Sequence, residues 1–304
     1  MNDRLADLSE RRSRVFVGPA GLRGILDSGR PVTILDVRWA LGRDDGREQY
    51  LGAHVPGAVY VDLETELSGP ATAATGRHPL PSVESLQDSA RSWGVRSRVP
   101  VVVYDAIGGL SAARAWWLLR WGGHDDVRIL DGGLAAWVAG GGTTESRDVV
   151  VAEGDITVRA GQLPVLDADA AADLARTGVL LDARAAERYR GDVEPIDPRA
   201  GHIPGALSAP TVASLGPDGR LVDAAELLEA FAGHGITDAD AAPAQPGAAP
   251  RIGTYCGSGV TASHEVAVLA SLGIDASLYP GSWSQWANDP GRPAASGSEP
   301  GGLT

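Results

Sequence analysis

The chain has 304 residues with 39 acidic against 26 basic side chains and a formal net charge of −13, a length that makes about two globular domains. A chain this acidic lacks the basic face that nucleic acid or an anionic membrane surface would require, so neither partner is expected. A single cysteine forms no internal disulfide, Met1 to Arg14 carries no signal-peptide core, and no apolar run is long enough to span a bilayer, which together point to a reducing cytoplasm.

Short apolar runs over 32–37, 101–104 and 127–130 read as buried strands, with helical patterns over 82–93 and 111–121 between them. Short strands alternating with helices imply a mainly parallel sheet covered on both faces. The pattern then repeats after about 150 residues. Ile34-Leu35-Asp36-Val37-Arg38 returns as Leu180-Leu181-Asp182-Ala183-Arg184, and Ala53-His54-Val55-Pro56-Gly57-Ala58 returns as Gly201-His202-Ile203-Pro204-Gly205-Ala206. A period this long indicates duplicated domains rather than a solenoid. The expected division is a first domain over 1–145, a linker over 146–160 that opens after a glycine run, a second domain over 161–290 and a flexible tail over 291–304. An alanine- and proline-rich stretch from Asp240 to Pro250 reads as a surface insertion.

The strand over 251–255 leads into Tyr255-Cys256-Gly257-Ser258-Gly259-Val260-Thr261, then a helical run from Ala262 to Leu272 that Gly273 stops. In parallel sheets ligands collect at the carboxyl ends of strands, where Cys256 falls. Gly257 and Gly259 can take positive φ, which lets the loop curl until several backbone N–H groups face one centre. The positive end of the following helix would also face the sulfur and favour thiolate over thiol. His264, on that helix, is expected to be exposed. Trp116, Trp117, Trp283 and Trp286 are expected in packing, and Asp36 and Asp182 in hydrogen bonding with neighbouring arginines.

These motifs, together with Tyr279-Pro280-Gly281-Ser282-Trp283, make the chain from Val15 to Pro290 resemble the two-domain rhodanese family of sulfurtransferases. The resemblance implies two tandem α/β rhodanese-like domains, each a central mainly parallel sheet flanked by helices. It implies a sulfur-carrying Cys256 in the second domain and a catalytically silent first domain, where Asp105 stands at the cysteine position. It implies ping-pong transfer of a sulfane sulfur through a Cys256 persulfide to cyanide, a small thiol or thioredoxin, with no metal or organic cofactor needed. The neutral Gly-Ser-Gly loop resembles that of 3-mercaptopyruvate sulfurtransferases more than the basic loop of thiosulfate-using relatives. From that likeness come Ser258, His54 and Asp44 as a catalytic set. Arg188 and, with broken spacing, Arg199 are implied as carboxylate-binding groups, with Gly257, Gly259, Val260 and Thr261 completing the substrate cradle. His54 recurs as His202, so a shared structural role for both stands beside the catalytic one. Two other readings remain: a non-catalytic sulfur carrier, since Asp105 demonstrates a copy without cysteine, and a cysteine phosphatase, against which stands the absence of an arginine closing the loop.

Overall fold

The computed structural model describes residues 2–241 and 251–301. In the first half, β1 (Phe16–Val17), β2 (Thr33–Asp36), β3 (Val59–Tyr60), β4 (Val101–Tyr104) and β5 (Val127–Leu130) form a parallel sheet in the order β1-β5-β4-β2-β3. In the second half, β6 (Val179–Asp182), β7 (Leu207–Ser208), β8 (Ile252–Tyr255) and β9 (Ser277–Leu278) form a parallel sheet in the order β7-β6-β8-β9. Val165 bridges Leu278 in parallel, at the place that β1 holds in the first sheet. The two sheets therefore share one topology, and the repeated motifs sit at matching registers: Asp36 opposite Tyr104, and Asp182 opposite Tyr255.

Every residue of β4 and β8 is buried, as expected of central strands with helices on both faces. Each of these strands runs into a loop and then a helix, Ala112–Trp121 in the first domain and Thr261–Ser271 in the second. The two helices pack on each other across the domain boundary. One apolar core runs through both domains, including Val103 and Trp117 from the first and Val260 and Leu269 from the second. The helix Asn2–Val15 also crosses over to pack on the helix Thr261–Ser271. From it, Arg12 donates to the carbonyls of Leu221 and Val222 and pairs with Asp131.

Two expectations are corrected here. His264 is fully buried, because its helix is enclosed by its own sheet and the opposing domain; its Nδ1 lies 2.7 Å from Thr211 Oγ1 and its ring meets Phe16 edge-on. The segment after residue 290 is tied to the second domain rather than loose. Ala295 pairs its backbone with His202, and Pro300 O accepts from Gly205 N at 2.7 Å. Glu145 pairs with His54 in the same way in the first copy, so this tail is part of the repeat. Past Ala241, the stretch read as an insertion lies outside the described residues. Among the described residues, no helix is long and apolar enough to cross a membrane.

Candidate active site

β8 ends at Tyr255, and the chain turns at once to present Cys256 at the domain boundary. Gly259 has φ +78°, and a Cβ there would lie 2.5 Å from Pro280 O, so only glycine lets the loop close against its neighbour. With that closure the Gly259 N–H donates to Cys256 Sγ at 3.1 Å. From the facing turn, Ser282 accepts the Cys256 N–H at 3.1 Å and donates its hydroxyl to Tyr279 O at 2.9 Å. Ser282 is the non-glycine residue at positive φ among those described, at +54°, where the first copy has Gly133 at +58°. The strain of about 1–3 kcal/mol that a side chain meets there is offset by the partner its hydroxyl provides for the cysteine backbone. The Val260 side chain lies in the core, and Thr261 opens the following helix.

The first copy reveals what such a loop can hold. Asp105 occupies the place of Cys256, and its carboxylate accepts from the N–H groups of Ile107, Gly109, Ser111 and Ala112 at 2.8–3.0 Å. Four converging amides around one anion are the cradle expected from the loop sequence, filled by the chain's own carboxylate.

Ser258 meets a histidine, but not His54. His78 Nδ1 lies 2.7 Å from Ser258 Oγ, and His78 Nε2 lies 3.1 Å from both carboxylate oxygens of Glu64. With the Nε2 proton donated to Glu64, Nδ1 is left to accept the Ser258 hydroxyl. Trp39 steadies the pair, its Nε1 donating to Glu64 at 2.7 Å and its ring standing edge-on to His78. Burial, opposed by Glu64, holds the His78 imidazole below the usual histidine range. His54 is instead a scaffold residue, with Nδ1 at 2.7 Å from Tyr50 O and its ring stacked on Tyr50; His202 repeats both contacts with Tyr189. Asp44 is exposed on the wall of a depression of about 520 Å³ that Glu64 also lines, and the carboxylate on the histidine is Glu64.

Two guanidinium groups flank Gly257. A Cβ built there would lie 3.0 Å from Arg77 Nη2 and 3.3 Å from Arg188 Nη1. The sequence singled out Arg188; Arg77 comes from the first domain. Arg188 donates to Glu194 at 2.7 Å, Arg77 pairs with Asp197, and the Nε of each arginine is buried without a partner among the described residues. Burial raises the Asp197 carboxyl above the ordinary range, with Arg77 acting against the shift. Arg199, expected here, is turned away to clamp the carbonyls of Trp286, Ala287, Asp289 and Arg292. The repeated pairs Asp36–Arg38 and Asp182–Arg184 are buried ion pairs in both copies, as anticipated. Arg77 and His78 were missed because they lie in a loop without periodicity. Comparing the two copies offers a signal for His78 alone, because Gly76-Arg77-His78 returns as Gly219-Arg220-Leu221 in the corresponding loop.

The rhodanese-like domain family model matches residues 19–140 and again 167–289. SseB of Mycobacterium tuberculosis, named for thiosulfate sulfurtransferase activity, is 47% identical over 95% of this chain and 99% of its own. A Pseudomonas aeruginosa protein named for 3-mercaptopyruvate sulfurtransferase activity is 43% identical over 87% of this chain and 92% of its own. The crystal structure of SseA from Escherichia coli, a 3-mercaptopyruvate sulfurtransferase, superposes with a TM-score of 0.75 at 34% identity, covering 88% of this chain and 98% of that one.

Proposed function

Since the chain belongs to the rhodanese family and is a sulfurtransferase, we propose that it takes its sulfur from 3-mercaptopyruvate and carries it as a persulfide on Cys256. The observation that carries this reading is the line Ser258–His78–Glu64 beside the cysteine loop. 3-Mercaptopyruvate holds its sulfur as a thiol on carbon, so its use requires a proton to leave sulfur and reach carbon. Thiosulfate requires neither. The donor carboxylate would lie between Arg77 and Arg188, whose planar forks suit bidentate recognition.

In this reading, Cys256 Sγ attacks the donor sulfur, an S–S bond forms as the C–S bond breaks, and the electron pair goes to the departing enolate. The thiol proton passes through Ser258 Oγ and His78 Nδ1 and ends on the enolate carbon, which gives pyruvate. The persulfide charge is met by the Gly259 amide and the start of the helix Thr261–Ser271. Cyanide, a small thiol or thioredoxin then takes the outer sulfur and releases Cys256, which a reducing cytoplasm keeps free.

A thiosulfate reading is favoured by one observation, the pair of guanidinium groups at Gly257. The adjacent Glu194 and Asp197 offset their charge, which suits a monoanion better than a dianion. Sulfur transfer to cyanide from the two donors, with Cys256→Ser as blank, decides between them. We expect kcat/KM to favour 3-mercaptopyruvate by at least about tenfold; a preference for thiosulfate would reject the reading.

A further inference from the structure

Arg114, on the helix Ala112–Trp121 of the first domain, is a fully buried cation. Among the described residues its hydrogen-bond acceptors are all carbonyls and none is a carboxylate. Nε donates to Leu67 O at 3.3 Å, Nη1 to Gly259 O at 3.3 Å, and Nη2 to His78 O at 2.9 Å and Pro79 O at 3.3 Å. A cation buried this way is costly, and proteins usually answer it with an acid. Burial lowers the Arg114 pKa to about 10, and the group acting against that shift is Cys256.

The acceptors are informative. Gly259 is the residue whose N–H reaches Cys256 Sγ, and it directly follows Ser258. His78 is the residue whose ring meets Ser258. One planar group thus grips the sulfur loop of one domain and the histidine segment of the other. Within the loop's own helix, Ser263 donates to the same Gly259 carbonyl at 2.9 Å, so both helices fix this one peptide.

We propose that Arg114 is a positioning residue for sulfur transfer: it sets the Ser258–His78 contact across the domain boundary and holds in place Gly259, whose N–H faces Cys256 Sγ. This deepens the sulfurtransferase reading and rests on it. The Ser258–His78 contact joins two domains, so it holds only while both backbones keep register, and a guanidinium fork spans both carbonyls as no single-headed side chain can. A lysine would preserve the charge but not the span.

The test compares the full-length protein with Arg114→Gln and Arg114→Lys, each first checked for folding by circular dichroism and thermal melting. Two readouts follow: the rate at which iodoacetamide alkylates Cys256, which needs no sulfur donor, and kcat and KM for 3-mercaptopyruvate with cyanide. For Arg114→Gln we expect alkylation and kcat each to fall on the order of tenfold, with KM within about twofold because Arg77 and Arg188 are untouched. For Arg114→Lys we expect alkylation and kcat both to stay low, because a lysine cannot span the two carbonyls. A folded Gln variant with wild-type alkylation and kcat overturns the proposal, as does a loss confined to KM. If the Gln variant does not fold, the Lys variant decides alone, and wild-type kcat there overturns the proposal. If the wild type uses neither donor, the functional reading fails by itself, while the alkylation comparison still judges Arg114.

Discussion

His54 and His78 differ in what their rings touch, and that difference separates a scaffold contact from the proposed chemistry. His54 lies flat on Tyr50 with ring centroids 4.1 Å apart, as His202 lies on Tyr189 at 3.7 Å. Replacing His54 by Ala should therefore cost stability, on the order of 1–3 kcal/mol for the lost buried hydrogen bond and packing. The fraction that folds should turn over normally. His78→Gln should do the reverse: a near-native melting temperature with kcat for 3-mercaptopyruvate lowered about a hundredfold or more. Equal kinetic loss in both variants would return His54 to the site. The pH profile gives a second handle. Burial depresses the His78 pKa and Glu64 partly restores it, so the neutral, proton-accepting ring persists below the ordinary histidine range near 6.5. Glu64→Gln removes the restoring charge, and the acid limb of kcat/KM should move to still lower pH. Movement to higher pH would contradict the assigned partner.

The helix Thr261–Ser271 begins where the sulfur loop ends and carries, further along, two buried ionisable residues. His264 is held down to a pKa of about 4 by burial, and Glu265 is pushed up to about 7 by burial against a hydrogen bond from Thr211. The helix accepts both because its central position is set by packing on the helix Ala112–Trp121 and the helix Asn2–Val15, which leaves it almost no solvent face. For Glu265, the unfolded chain loses its proton near pH 4.5, while the folded one keeps it until about 7. Stability linked to this group is thus present below pH 4.5 and declines as pH rises towards 7, by an amount on the order of 3 kcal/mol. Glu265→Gln should remove that decline, so that its stabilising effect on the melting temperature is larger at pH 8 than at pH 5. An equal effect at both values would mean that Glu265 is ionised or solvated in the folded state.

Across the whole molecule the proposed site draws on both copies. The second domain would supply Cys256, Ser258 and Arg188, and the first His78, Glu64, Arg77 and Arg114, which the fold brings together. The continuous core makes this possible, because a site divided between loosely linked domains could not keep a 2.7 Å contact between residues 180 positions apart. The same boundary sets the charge offered to a donor. Asp197 of the second domain neutralises Arg77 of the first, and Asp197→Asn should free that arginine. KM for thiosulfate, a dianion, should then fall several-fold, and more than KM for 3-mercaptopyruvate. Unchanged KM for both would show that Asp197 does not tune the donor.

What the sequence determined alone was whatever repeats or has a period. The strands over 101–104 and 127–130, the parallel α/β class, the two copies and the cysteine loop ahead of a helix ended by Gly273 all follow from local apolar patterning, glycine placement and self-similarity. Arg188 came from the family resemblance rather than from any repeat or period, and it does lie against Gly257. The tertiary structure decided which histidine meets Ser258, which carboxylate supports it and which second arginine faces the loop. Glu64, Arg77 and His78 sit on one domain while the sulfur sits on the other, and no local periodicity records a contact made by docking two sheets through two helices. It also decided that Arg199 is a clamp on four carbonyls, that His264 is buried and that the tail is docked. Each of these depends on which surfaces the two copies bury against each other or against their own neighbouring chain, and only the folded arrangement specifies that.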